Sequence, residues 1–208
     1  MSRSELIQLA RSTYGVSENG YIVVGRSGVI AAAQPAMSLL WNWSLPNADA
    51  FGVHPLVLER LRLQWTCITP FAVPVTAGRG LAFCKIPQFS SAGGGGTAPV
   101  NNILAKNVLT NATFGQQLAM ANTTAITPPA SPPVLTGVFA QLCLTGYGLA
   151  GATVDKEWRW TSGDAQMISF AQSEVIGLIC PNAMDIVGTF ELIVEAELQS
   201  VPSDLPQP

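Results

Sequence analysis

The sequence predicts an all-β fold: an antiparallel β-sandwich, jelly-roll-like, with long loops and a short N-terminal helix or arm. Apolar and polar residues alternate along two long segments, which is typical of strands with one buried face. Turn-forming residues separate many shorter apolar runs at near-regular spacing, as in sandwiches and barrels. Of 208 residues, 48% are hydrophobic, which is enough for the core of one such domain.

Residues 1–20 are predicted to form an N-terminal arm with a short helix, for which Ser4 is the expected N-cap. Glu5 and Gln8 interrupt the apolar part of this segment, so we do not expect a signal peptide. We therefore expect the protein to be made in a cytosol.

The clearest strand begins at Val57 and continues to Cys67, with apolar side chains mainly at odd positions and arginines among the even ones. The C-terminal segment from Phe190 to Leu198 alternates in the same way and carries glutamates on its outer side. If these two strands pair, Arg60 and Arg62 are natural cross-strand partners for the glutamates.

Shorter apolar runs predict the remaining strands of a single sandwich domain over residues 21–200. Gly78, Arg79 and Gly80 are expected to form a hairpin turn. These strands are expected at residues 21–25, 28–33, 36–43, 71–75, 80–86, 134–144, 158–160 and 175–180.

Two loop insertions and a tail complete the predicted domain organisation. Residues 87–102 include four consecutive glycines, and residues 122–133 include four prolines, so both are expected to be loops. In a shell protein they would lie on neighbouring subunits. Residues 201–208 are expected to form a C-terminal tail.

The chain is poor in charge. Charged residues make up 11% of it, with 10 Lys and Arg against 13 Asp and Glu for a net charge of −3. Proteins that bind phosphate backbones need a basic stripe, so we expect no direct nucleic-acid contact. No apolar run is long enough for a membrane helix. So few charges instead predict a surface covered by other subunits.

No residue pattern predicts catalysis, a cofactor or a metal site. His54 has no recognisable nucleophile or carboxylate partner, and the glycine run lacks the Lys-Ser/Thr of a phosphate loop. Asp155 with Glu157, and Glu195 with Glu197, share strand faces and would suit a glycosidase dyad or a calcium site. Solubilising charge on an outer sheet face fits these pairs better.

Four tryptophans form two Trp-x-Trp pairs, Trp41 with Trp43 and Trp158 with Trp160. Alternation along a strand places both rings of a pair on one side. Buried rings of this kind anchor a core or a subunit interface, whereas exposed rings stack on sugars. We favour anchors, and glycan binding is the alternative.

The four cysteines, Cys67, Cys84, Cys143 and Cys180, are far apart in sequence. Zinc sites usually show closely spaced ligand pairs, so none is expected. Buried free thiols are the favoured interpretation, and disulfides within or between subunits are the alternative.

Three stretches resemble parts of structural proteins encoded by tailed bacteriophages: residues 57–86 (VLERLRLQWTCITPFAVPVTAGRGLAFCKI), 104–127 (LAKNVLTNATFGQQLAMANTTAIT) and 167–198, which ends in ELIVEAEL. They occur in the same order and cover about half of the chain. The chain departs from the pattern by having cysteines inside two strands and few charges in the second stretch.

This resemblance implies a virion protein without enzymatic activity. A capsid decoration (cement) protein is the first expectation, and a collar, neck or tail accessory protein is the alternative. The implied partners are copies of the chain, as a trimer that suits an icosahedral lattice, and other virion proteins such as the major capsid protein. Assembly would take place in the host bacterial cytoplasm.

Overall fold

The structure is a computed structural model, and it describes residues 20–44, 56–72, 79–86, 100–105, 137–144, 149–160, 168–170, 174–184 and 186–200. Every regular element within these ranges is a β-strand. In chain order the strands are β1 (Gly20–Ile30), β2 (Ser38–Ser44), β3 (Leu56–Thr69), β4 (Arg79–Ile86), β5 (Val100–Ala105), β6 (Val138–Leu144), β7 (Thr153–Arg159), β8 (Ile168–Phe170), β9 (Val175–Cys180) and β10 (Thr189–Ser200).

The ten strands form two sheets that pack face to face, which confirms the predicted antiparallel sandwich. The six-stranded sheet has the order β5-β1-β10-β3-β7, with β8 also paired to β3. The four-stranded sheet has the order β2-β9-β4-β6. Residues 1–19 of the predicted N-terminal arm, the loop at 122–133 and the tail at 201–208 lie outside the described residues. Gly20, predicted to end the arm, begins β1.

Strands β3 and β10 pair over nearly their whole length at the centre of the six-stranded sheet. Glu195 lies opposite Arg62 and Glu197 lies opposite Arg60, so the predicted cross-strand partners are confirmed. Glu59 interrupts the alternation because the register shifts there. This β-bulge brings Leu58, rather than the predicted Val57, into the core.

The main core lies between the sheets and is formed by the alternating apolar residues of both. The six-stranded sheet contributes side chains from β1, β3, β8 and β10, and the four-stranded sheet contributes side chains from all its strands. Members of this core include Ile30, Leu58, Leu61, Leu63, Trp65, Phe170, Phe190 and Leu192 from the first sheet and Leu40, Trp41, Leu81, Phe83, Ile176 and Leu178 from the second.

The four-stranded sheet is apolar on its other face as well. A second buried cluster there consists of Leu39, Ala82, Cys84, Ile86 and Ile179. Strands β4 and β9 therefore read as continuous apolar runs instead of alternating ones. At Gly177 a β-carbon would lie 2.7 Å from Ile86 Cδ1, so the small residue makes room for this cluster.

Several local predictions were wrong. The two strands predicted at 21–25 and 28–33 are one strand, β1, which ends at Ile30 and contains a bulge at its irregular register. The predicted loop at 87–102 ends early, because β5 begins at Val100. Arg79 and Gly80, predicted to lie in a hairpin turn, begin β4, and this strand pairs with β6 and β9 and not with β3; Gly78 lies outside the described residues.

Three aromatic rings fill the core at the end of the sandwich where β3 finishes and β10 begins. Trp65 stacks on Phe71 with ring centroids 6.2 Å apart, and Phe190 lies 6.3 Å from each of them. Gly188 packs so closely against this group that a β-carbon on it would lie 2.0 Å from Phe71 Cδ1. Phe71, predicted to begin a strand, instead packs beyond the end of β3.

Gly188→Ala is expected to lower the free energy of unfolding by about 1–3 kcal/mol, the usual cost of overpacking a core. The added methyl group must displace the Phe71 ring, which Trp65 and Phe190 hold in place. Urea denaturation measures the change. In Gly80→Ala, the control, the β-carbon meets nothing closer than the Leu142 carbonyl oxygen at 3.6 Å, so stability should be nearly unchanged. Equal stability of both variants would contradict the tight packing at Gly188.

Candidate functional site

Seven charged side chains form a ladder across the outer face of the six-stranded sheet. The chain contains 23 charged residues in all, 10 basic and 13 acidic, so nearly a third of them lie here. We call this group the ion-pair ladder. It consists of Arg60 and Arg62 on β3, Asp155, Glu157 and Arg159 on β7, and Glu195 and Glu197 on β10.

Arg60 lies at the centre of the ladder, with its side chain 15% exposed. Its Nε donates a hydrogen bond to Glu197 Oε1 at 2.8 Å. Its Nη1 donates to Glu157 Oε2 at 3.2 Å and to Glu195 Oε2 at 3.3 Å. One guanidinium thus joins carboxylates from both neighbouring strands.

Arg62 binds Asp155 side-on, the geometry in which a guanidinium matches a carboxylate best. Its Nε donates to Asp155 Oδ1 at 2.9 Å, and its Nη2 donates to the second oxygen. Hydrogen bonds from Arg62 hold the pKa of Asp155 below its ordinary value of 3.8. Hydrogen bonds from Arg159 and then Arg60 lower the pKa of Glu157 in the same way.

Both of the predicted carboxylate pairs belong to the ion-pair ladder. Asp155 and Glu157 both accept hydrogen bonds from arginines. Glu195 and Glu197 do so as well. The carboxylates are therefore structural partners of the arginines, and no group of three or more potential metal ligands occurs among the described residues.

Arg62→Gln should reduce the loss of folding stability that occurs as the pH falls into the acidic range. A carboxyl group with a lowered pKa in the folded state stabilises the protein above its ordinary pKa, and this contribution disappears as the pH falls through the folded value. The stability difference between wild type and Arg62→Gln should therefore shrink from pH about 7 to pH about 2.5. Urea denaturation measures it, and NMR titration should show the Asp155 pKa rising towards 3.8.

Arg26→Gln is the matched control, because Arg26 is an exposed arginine of β1 outside the ladder. Its stability should follow the wild-type dependence on pH. An unchanged Asp155 titration in Arg62→Gln would show that the ladder does not set this pKa.

Trp158 and Trp160 help to close the side of the sandwich where the edge strands β7 and β6 meet. Trp158 packs edge-on against Phe83, with ring centroids 6.0 Å apart, and Trp160 packs edge-on against Phe139 at the same separation. Phe139 also meets Phe170 at 6.1 Å. Both indoles are half-buried against the main core.

The other tryptophan pair belongs to the four-stranded sheet. Trp41 is buried in the main core, and its indole Nε1 has no hydrogen-bond partner in the described structure. Trp43 lies in β2, but its side chain is outside the described residues. The two Trp-x-Trp pairs are thus on different sheets, and their proposed use as interface or sugar-stacking residues stays a prediction.

All four cysteines carry free thiols in the chain. Cys67 and Cys180 are buried in the main core, and Cys84 is buried in the outer cluster of the four-stranded sheet. Burial raises the pKa of Cys84 to about 12, so this thiol stays protonated and unreactive. Cys143 on β6 is exposed. A disulfide between subunits stays a prediction.

The fold exposes a group of apolar residues that the sequence pattern does not single out. Eight large hydrophobic side chains are exposed among the described residues, and seven of them lie at one end of the sandwich. We call these seven the apolar end; they are Val29, Met37, Ile68, Leu149, Val154, Ile186 and Val187. Single exposed apolar residues did not stand out in the sequence, because these seven come from four distant regions of the chain that only the fold brings to one end.

The comparisons with known proteins add no relative. No protein-family model matches the chain, and no curated protein matches it in sequence. His54 lies outside the described residues. Within the described ranges, no helix has the length and apolar character needed to cross a membrane.

Proposed function

We propose that the protein is a structural virion subunit of a tailed bacteriophage, and most directly a capsid decoration protein that stabilises the particle through intersubunit contacts. The observation that carries the proposal is the division of its surface. Charges collect in the ion-pair ladder, where the carboxylates already have partners, whereas large apolar side chains are exposed at one end.

Such a division suits a part that is held between other proteins. Exposed apolar patches on a folded domain mark interaction sites, because their burial on binding is favourable. The neutralised ladder suits a face that stays in solvent. The two cores and the cross-strand arginines make the sandwich a rigid body that can transmit contacts without deforming. The assignment to a tailed bacteriophage itself rests on the resemblance of three stretches to phage structural proteins.

The direct test is binding to shells of the encoding phage from which this protein has been left out. Purified protein should co-sediment with the shells, saturate at a fixed copy number, and raise the temperature at which the shells break. Ribosomes, as particles of similar sedimentation, serve as the control for nonspecific binding.

Two results would change the proposal. If immunoelectron microscopy places the protein only at necks or tails of complete particles, the collar, neck or tail alternative replaces decoration. If neither shells nor complete particles contain or bind it, the proposal of a virion subunit is wrong.

Glycan binding is the second candidate, because Trp158 and Trp160 are half-buried and not fully enclosed. Their edge-on packing against Phe83 and Phe139 already explains both rings as structural. Under our proposal, host polysaccharide leaves the tryptophan fluorescence unchanged. A saturable spectral shift that Trp158→Ala abolishes and Trp158→Phe retains in part would instead favour a glycan-binding module on the virion surface.

A further inference from the structure

We infer that the apolar end is the surface through which one copy of the chain binds another, so that the apolar ends of neighbouring subunits pack together. This inference deepens the proposed function and rests on it in one respect: it identifies where the structural subunit contacts its own kind.

Backbone connectivity places these side chains at the same end. The end of β3 lies beside the start of β10, since Thr69 is opposite Thr189. The end of β1 lies there too, since Ile30 is opposite Phe190. The turn before β7 joins them, because Gly151 N donates to the Cys67 carbonyl oxygen at 2.8 Å.

The connection from β1 to β2 completes this end from the second sheet. Met37 N donates to the Cys180 carbonyl oxygen at 2.7 Å, and Met184 N donates to the Gln34 carbonyl oxygen at 2.8 Å. These bonds fasten the β1–β2 connection to the one between β9 and β10. Ile186 and Val187 project from the latter connection, so both sheets contribute to one apolar surface.

The described residues of the segments that form this surface carry no charge. Residues 29–37, 66–72, 149–154, 181–184 and 186–190 contain no Asp, Glu, Lys or Arg. Asp185 lies outside the described residues, and Glu191 stands at the border opposite Val29. The ion-pair ladder occupies the middle of the outer sheet face instead.

The support beneath the surface is rigid. Phe71 is held between Trp65 and Phe190 and packs against Gly188, directly before β10. Neighbouring connections are tied to strands by backbone hydrogen bonds. A surface that is already ordered loses little conformational entropy when it binds, which favours association.

A second copy is the occupant that these observations favour. A chain of net charge −3 repels its copies, and the repulsion is weakest where the surface has no charge. The described residues of two apolar ends match each other without burying a charge, and contacts between identical subunits are the more apolar class of interface. A partner recognised by charge, such as nucleic acid or an anionic lipid surface, would find no basic side chain in the described segments of this surface.

The test is the native mass of the full chain by sedimentation equilibrium, with reductant present so that Cys143 cannot form cross-links. Wild type should form a closed oligomer whose mass is a multiple of 21.9 kDa. Ile186→Glu and Leu149→Glu place a charge on side chains that are 82% and 81% exposed. Each should raise the dissociation constant at least about tenfold, because burying an unpaired charge at an interface is costly.

Val138→Glu is the matched control. Val138 is the eighth exposed hydrophobic residue, 52% exposed, and lies at the opposite end of the sandwich. This variant should keep the wild-type mass. All three positions are exposed, so the thermal unfolding of the variants should match that of wild type at equal monomer content.

Three results would overturn the inference. The first is a wild-type mass of 21.9 kDa at every concentration. The second is an oligomer that survives both Ile186→Glu and Leu149→Glu, and the third is an oligomer that Val138→Glu disrupts equally. A monomer that still binds shells would refute this inference alone, whereas an oligomer that dissociates as expected but binds no particle would refute the proposed virion function alone.

Discussion

The pairing of β3 with β10 is the constraint on which the rest of the structure depends. It joins segments separated by more than half of the chain, and its register places Arg60 opposite Glu197 and Arg62 opposite Glu195. A shift by one residue would turn the leucines outward and the arginines into the core. The hydrophobic pattern and the ion pairs therefore specify the same alignment of β3 with β10. The neighbouring strands β1 and β7 pair with this central pair.

The outer faces of the two sheets differ in polarity. The outer face of the six-stranded sheet is solvated and carries paired charges, and such exposed ion pairs contribute little to stability one by one. The ion pairs hold the register of the strands and keep this face soluble. The four-stranded sheet buries an additional apolar layer that includes Ile86 and Ile179. Low charge is thus a consequence of the architecture: the four-stranded sheet has only two charged residues, Arg79 and Lys85, and one end of the sandwich is apolar.

Alternation within continuous segments predicted the fold class, the central strands and, provided that these strands pair, the glutamates of β10 as partners of Arg60 and Arg62. It did not predict the partners on β7, Asp155 and Glu157. It did not reveal which strands belong to which sheet. Gly78, Arg79 and Gly80 resemble a hairpin turn, yet β3 and β4 belong to different sheets, and local turn chemistry carries no information on such a crossing. The apolar end was missed for a similar reason, since Ile68 and Ile186 come to the same end of the sandwich only through the pairing of β3 with β10.

Hydrogen–deuterium exchange at low and high protein concentration tests whether subunits join through the apolar end while the ion-pair ladder stays in solvent. Backbone amides that become buried in a contact exchange more slowly. We expect slower amide exchange at high protein concentration in residues 29–37, 149–154 and 186–189, and no change at Val138. Added protection confined to other segments, or exchange that does not depend on concentration although the protein self-associates, would contradict it.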